Sequence, residues 1–247
     1  MPLDRFSAQA ALYARYRISY PPALYAWLLP QVAGRQRAWD CATGNGQVAA
    51  ALAPFFEKIE ATDLSANQLA QAPALPNVRY QVAPAEHAPF ADHSFDLVTV
   101  GQAVHWFEPA AWHQEVRRVA RPGATLAEWG YGLAHTGEPA LDALIQHFHD
   151  ETLGPYWDEN RWHVIDEYAR LPFPFANIQQ ARFPVGRHWS AAWFLDYLRT
   201  WSAVVKYGQQ HAGADVVAEV APELVRLWGT GEREVLFPVF ARAGLVG

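Results

Sequence analysis

The spacing of apolar positions changes at Arg37. Upstream, residues 5–33 read as two helices: Phe6, Ala10, Tyr13 and Tyr16 recur at helical spacing, and Pro21-Pro22 opens the second piece. Downstream, short apolar runs alternate with helical stretches. The runs at 38–41, 58–62, 78–82, 95–100 and 124–129 predict five strands. Phe95-Asp96-Leu97-Val98-Thr99-Val100 is nearly continuous in apolar residues, as expected of a strand covered on both faces. Between the strands fall a helix through Val48-Ala49-Ala50-Ala51-Leu52, a helix capped by Ser65, and one that starts at Pro109 and runs to about Val119. Arg121-Pro122-Gly123 reads as a turn.

After Tyr131 the alternation loosens. Residues 139–153 read as helix, 178–185 as a sixth strand, 190–207 and 215–228 as helices, and 234–240 as a last strand. Strands alternating with helices imply right-handed crossovers and a parallel sheet covered on both faces. The expected class is α/β, a doubly wound, mostly parallel sheet of seven strands with helical cover inserted after strands 5 and 6. No repeat, low-complexity tract or linker divides residues 1–247, so one domain is expected.

Composition narrows the classes of function. The chain has 247 residues, 51% of them hydrophobic, enough for a sizeable core. A formal charge of −6 and the lack of a dense Lys/Arg cluster argue against nucleic acid as a partner. The lone cysteine, Cys41, excludes an internal disulfide and makes a thiolate metal site improbable. His147 and His149 are two apart and diverge on a helix, so no metal is assigned. The start of the chain lacks a signal-like apolar run, and no stretch is long and apolar enough to cross a bilayer. A soluble, cytoplasmic protein without a membrane partner is expected. Eleven tryptophans suit either core or an aromatic pocket.

The chemistry concentrates in Trp39-Asp40-Cys41-Ala42-Thr43-Gly44-Asn45-Gly46-Gln47-Val48-Ala49, which reads as strand, glycine turn, helix. Gly44 and Gly46 can take positive φ and let a ligand press on bare backbone, and the following helix points unpaired N–H groups at it. Asp63 stands about twenty residues beyond, at the end of the second strand, where a carboxylate can accept from two vicinal hydroxyls of a ribose. Two cofactor classes fit. The turn satisfies the dinucleotide fingerprint with alanine in third place, which admits NAD and an oxidoreductase. Against it, Asp40 would face a pyrophosphate, whereas a cofactor bearing an ammonium and a sulfonium favours a carboxylate there.

Asp40-Cys41-Ala42-Thr43-Gly44-Asn45-Gly46 resembles the first motif of class I S-adenosylmethionine-dependent methyltransferases, and Glu60-Ala61-Thr62-Asp63-Leu64-Ser65 resembles their second. Ala83-Pro84-Ala85-Glu86-His87-Ala88-Pro89-Phe90 is similar to the segment bordering the adenine, and Ser94-Phe95-Asp96-Leu97-Val98 to the fourth strand. Gln102-Ala103-Val104-His105-Trp106-Phe107 resembles the small-molecule branch that includes trans-aconitate methyltransferase-like proteins. Glu115-Val116-Arg117-Arg118-Val119-Ala120-Arg121-Pro122-Gly123 resembles the helix and turn before strand five. The likeness covers about residues 5–130. It departs at Ala42, where glycine is usual; a methyl is tolerated there at negative φ but narrows the approach to the ligand.

The resemblance implies a Rossmann-like fold, S-adenosylmethionine as cofactor, N-terminal helices over it at 1–33 and a substrate cover at 131–230. It implies cofactor contacts from Asp40 (toward the methionine amino group), Ala42, Gly44, Gly46, Asp63, Leu64, Ala85, Glu86 and Gln102. Leu64 serves the adenine face or the core, and Glu86 the adenine rim or a solvated loop. Tyr13 and Arg17 lie in a segment similar to one that closes over the cofactor, where a guanidinium clamps a carboxylate. His105, past the fourth strand, is a candidate general base or a fixed loop residue. Trp106, Trp129, Tyr131 and Trp201 are candidate substrate contacts; Trp193, Tyr197 and Trp201 form one i, i+4, i+8 stripe. The expected reaction is methyl transfer by in-line displacement to a small-molecule acceptor, carboxylate or aromatic. A carboxylate needs no base; a phenol or amine uses His105. The alternatives are an NAD-dependent oxidoreductase and a non-catalytic S-adenosylmethionine-binding protein.

Overall fold

A computed structural model of the chain describes residues 18–247. The proposed contacts Tyr13 and Arg17, and the first of the two N-terminal helices, fall outside these residues. Helix α1 (Pro22–Leu28) leads into β1 (Arg37–Cys41), α2 (Gln47–Leu52), β2 (Lys58–Asp63), α3 (Ala66–Leu69), β3 (Val78–Val82), β4 (Phe95–Gly101), α4 (Pro109–Val119) and β5 (Ala120–Tyr131). The cover follows: α5 (Pro139–His147), a π-helical turn at Phe148–Thr152, and α6 (Trp162–Ile165). Then come β6 (Ala176–Ser190), α7 (Ala191–Arg199), α8 (Ser202–Gln210), α9 (Val217–Trp228) and β7 (Glu232–Leu245).

The sheet order is β3-β2-β1-β4-β5-β7-β6. Strands β1 to β5 are parallel, and β7 lies antiparallel to both neighbours. The sheet is therefore doubly wound and mostly parallel, with helices inserted after strands 5 and 6 as the hydrophobic pattern predicts. Strand β4 is buried along nearly its whole length because both its faces carry core. Alternate residues supply the two sides: Leu97 joins Leu24, Val48, Leu52 and Trp129, while Val98 and Val100 join Trp39, Trp112, Val116 and Phe240.

Local chemistry sets the helix starts. Ser65 Oγ accepts from Gln68 N, and the Glu108 carboxylate accepts from Ala110 N and Ala111 N ahead of Pro109. Several boundaries differ from the sequence reading. Strand β5 begins at Ala120, because Arg121-Pro122-Gly123 continues the chain past an irregularity opposite Phe95 and Leu97, with Gly123 at φ +78°. Strand β6 is far longer than its apolar segment, since it is the sheet edge and Gln179, Gln180 and Arg182 face solvent while pairing with β7. The Trp193–Trp201 stripe is not one helix: α7 stops at Arg199, and Trp201 starts the next turn.

Candidate active site

The chain reverses after β1 through backbone that favours glycine. Ala42, Gly44 and Gly46 have φ of +52°, +58° and +78°. Gly46 is required twice over, since a Cβ there would also lie 2.8 Å from the Tyr80 hydroxyl. Ala42 departs from the expected negative φ; an L-residue in the left-handed region costs roughly 1–2 kcal/mol. Thr43 N donates to Thr62 O (2.9 Å), which binds the turn to β2.

Asp40 differs from the expectation of a carboxylate presented to a ligand. It is 1% exposed and faces inward. The Thr43 hydroxyl donates to it, as do Thr99 Oγ1 (2.9 Å) and Ala49 N (3.1 Å). Burial raises its pKa to about 7, although the hydroxyls of Thr43 and Thr99 and the Ala49 N–H pull the other way. Asp40 thus braces the turn against β4 and α2.

Asp63 ends β2 beside that turn. Gly44 N donates to its Oδ2 (2.8 Å) and Ser65 N to its Oδ1 (2.9 Å), so backbone from two loops fixes the carboxylate plane. Leu64, next along, is 44% exposed, an apolar surface at a strand end. Past β3, Ala85 is buried, and Glu86 accepts from Glu108 N (3.1 Å).

Beyond β4 the chain turns at Gln102 (φ +58°), whose N–H donates to Trp129 O (2.7 Å). Its side chain clasps Tyr131: Tyr131 N donates to Oε1 (2.7 Å), and Nε2 donates to Tyr131 O (3.3 Å). A Cβ on Gly130 would lie 2.8 Å from Gln102 Oε1 and 2.7 Å from Phe240 Cζ, so glycine leaves both side chains in place. This clasp borders a cavity of about 80 Å³. Gln102, His105, Trp106 and Tyr131 line one side; Trp157, Asp158 and Arg161 come from the loop before α6; Tyr197, Thr200, Trp201 and Ser202 come from the α7–α8 junction.

His105 is buried on a 3-10 turn, with Nδ1 3.3 Å from the Tyr168 hydroxyl. Tyr168 is held in turn. Its φ is +65°, its ring packs edge-on to Phe240 at 4.9 Å, and its carbonyl accepts from Arg242 Nη1 (2.9 Å). Arg242 Nη2 also pairs with Glu128 (2.7 Å), to which Trp112 Nε1 donates (3.1 Å). Burial pushes the Glu128 carboxyl up against the pull of Arg242 and Trp112. A buried ion pair on β5 and β7 thereby anchors the residue behind His105.

Five sequence-predicted residues meet at the cavity: Gln102, His105, Trp106, Tyr131 and Trp201. Trp129 does not reach it. It is fully buried, edge-on to Tyr20 (5.6 Å) and Tyr25 (6.5 Å); it shares a strand face with Tyr131 but lies two residues further from the strand end, inside the core. Sequence reasoning missed Trp157, Asp158, Arg161, Thr200 and Ser202. They lie in turns without hydrophobic periodicity, where the one signal was the aromatic-then-polar run Trp157-Asp158-Glu159-Asn160-Arg161. Among the described residues no cluster of three or more His, Cys, Asp or Glu could hold a metal ion, and no helix is long and apolar enough to cross a membrane.

Comparison with known proteins identifies the family. A methyltransferase-domain family model matches residues 39–127, from β1 into β5. An uncharacterized methyltransferase of Mycobacterium tuberculosis is 32% identical over 183 residues, which cover 71% of this chain and 67% of that one. A methyltransferase of Dictyostelium discoideum is 29% identical over 96% of this chain and 93% of its own. A solved structure described as a type II methyltransferase, from Anaeromyxobacter dehalogenans, is 40% identical with a TM-score of 0.83, covering 93% of this chain and 98% of that one.

Proposed function

The chain belongs to the class I S-adenosylmethionine-dependent methyltransferases, and from that premise we propose that it transfers the methyl group to a small-molecule acceptor held in the aromatic cavity beyond β4. The observation that carries this reading is the layout of the sheet edge. Asp63 and Tyr131 close β2 and β5, and the glycine turn and Gln102 follow β1 and β4; these four strands are consecutive neighbours in the sheet. Ligands of open α/β sheets lie outside those ends, so a cofactor bracket and an acceptor cavity side by side suit a two-substrate transfer.

The residues fit the cofactor. Asp63 offers an oriented carboxylate for the ribose hydroxyls, and one carboxylate can serve backbone donors and a diol together. Leu64 supplies an apolar face for the adenine, with Ala85 and Glu86 at its rim. Gly44 and Gly46 leave backbone open to close approach, beside Ala42. Asp40 acts by shaping this turn through Thr43. The family resemblance assigns Tyr13 and Arg17, which lie outside the described residues, to the methionine end of the cofactor. When bound, S-adenosylmethionine supplies a sulfonium-activated methyl carbon, which a nucleophilic atom of the acceptor displaces in line.

The remaining work is positional. The Gln102–Tyr131 clasp fixes one wall, while Trp106, Tyr197 and Trp201 exclude water and hold the acceptor flat. Orientation of this kind is worth ~7–11 kcal/mol of a barrier. A carboxylate acceptor needs no base. For an acceptor carrying a proton, His105 takes it, its ring positioned by the Tyr168 hydroxyl.

Isothermal calorimetry tests the reading. S-adenosylmethionine and S-adenosylhomocysteine are expected to bind, NAD not to bind, and S-adenosylhomocysteine to accumulate with a panel of small acids, phenols and amines. Binding of NAD in place of the adenosyl ligands contradicts the reading. Cofactor binding without turnover on any acceptor leaves a cofactor-binding protein instead.

A further inference from the structure

The arginines among the described residues are almost all committed. Among the described residues, Arg37, Arg118, Arg121, Arg170, Arg182, Arg199, Arg226 and Arg242 each form an ion pair. Arg35, Arg117, Arg187 and Arg233 donate to backbone carbonyls. Two remain. Arg79 lies exposed on β3, where water serves it. Arg161 is half-buried and lines the cavity.

The setting of Arg161 is that of a binding group. Its guanidinium carbon sits 5.0 Å from the centre of the Trp157 ring, a cation–π contact that stiffens a long side chain. Its Nε–H is buried and meets no acceptor among the described residues. None of the ion pairs among the described residues includes it. A cation so placed and stiffened, in no ion pair with another described residue, suits an anion, and a planar guanidinium fork matches a carboxylate or phosphate by two parallel hydrogen bonds.

We infer that the acceptor carries an oxyanion group, carboxylate or phosphate, and that Arg161 binds it while the body of the molecule lies against Trp157, Trp201 and Tyr131. This rests on the cavity being the acceptor site. Arg161 then determines specificity: it selects charged over neutral molecules of the same shape. It is a binding group for the substrate rather than a reacting one.

The test uses the full-length protein loaded with S-adenosylhomocysteine and three probes, benzoate, phenyl phosphate and benzamide, with binding read by tryptophan fluorescence and by calorimetry. Wild type is expected to bind benzoate or phenyl phosphate at least about tenfold more tightly than benzamide, and the stronger of the two anions identifies the group. Arg161→Gln is expected to reduce that preference to within about twofold while leaving benzamide unchanged. Arg161→Lys should keep an intermediate preference, since it retains charge but not the fork. Equal binding of benzamide and the anions, an undiminished preference in Arg161→Gln, or no anion binding at all overturns the inference. Titration of S-adenosylhomocysteine alone reports on the cofactor site, and the probes are repeated without it, so failure of the methyltransferase reading and failure of the anion anchor are read separately.

Discussion

Asp40 and Asp63 are carboxylates at neighbouring strand ends with different surroundings, and the difference yields predictions. Asp40 is walled in, with its pKa at about 7 against an ordinary 3.8, mainly through burial. A folded-state pKa raised in this way makes the proton-bound form fit the fold better, so its contribution is complete below about pH 4 and is lost as pH rises through 7. The ceiling of that loss is ~4 kcal/mol. Asp40→Asn removes the titration, so the Tm difference between wild type and variant should shift in the variant's favour from pH 5 to pH 8; a difference independent of pH contradicts the assignment. Asp63→Ala should weaken S-adenosylmethionine binding at least tenfold by calorimetry, since hydrogen bonds to a charged group contribute ~1.5–3 kcal/mol. Ala42→Gly should raise Tm by about 2–4 °C, by relieving left-handed strain at φ +52°, with part of the gain offset by greater freedom of the unfolded chain. The two glycines and Asp63 were legible in the sequence because their conformational demands are local. The sign of φ at Ala42 and the inward turn of Asp40 were not, because packing of β1 against β4 and α2 sets them.

Elements were legible where one rule dominated. Helix α4 starts at Pro109 and ends at Val119 as its cap and apolar spacing predict. The edge strand β6 was foreshortened because its exposed half is polar and owes its form to pairing with β7. The aromatic stripe failed at Thr200 because a run of i, i+4 positions does not reveal a break between two helices. No periodicity marks the element-scale tie that matters most to the site. Glu128 and Arg242 are 114 residues apart and pair in the core between β5 and β7. Arg242→Met strands a buried carboxylate and should cost about 3–5 kcal/mol, a Tm drop on the order of 10 °C. Because Arg242 also holds the Tyr168 carbonyl, turnover on a proton-bearing acceptor should fall further than S-adenosylmethionine affinity. Replacing Glu128 as well, in Glu128→Leu/Arg242→Met, should recover most of the stability; failure to do so contradicts the stranded charge as the cause.

At the scale of the molecule, both halves of the chain contribute to the cavity beyond β4 and β5. The turns after β1 and β2 follow from local residues, so sequence alone located those turns. The cavity walls come from Gln102–Trp106, Tyr131, the 157–161 loop and the α7–α8 junction, and only the fold brings these together. One sheet edge is expected to hold donor and acceptor side by side. A crystal structure with S-adenosylhomocysteine and benzoate measures this directly. It should show the ribose hydroxyls within hydrogen-bonding distance of the Asp63 carboxylate and the thioether sulfur facing the cavity between Gln102 and Trp201. Adenosine lying away from Asp63, or a sulfur turned from that cavity, contradicts it.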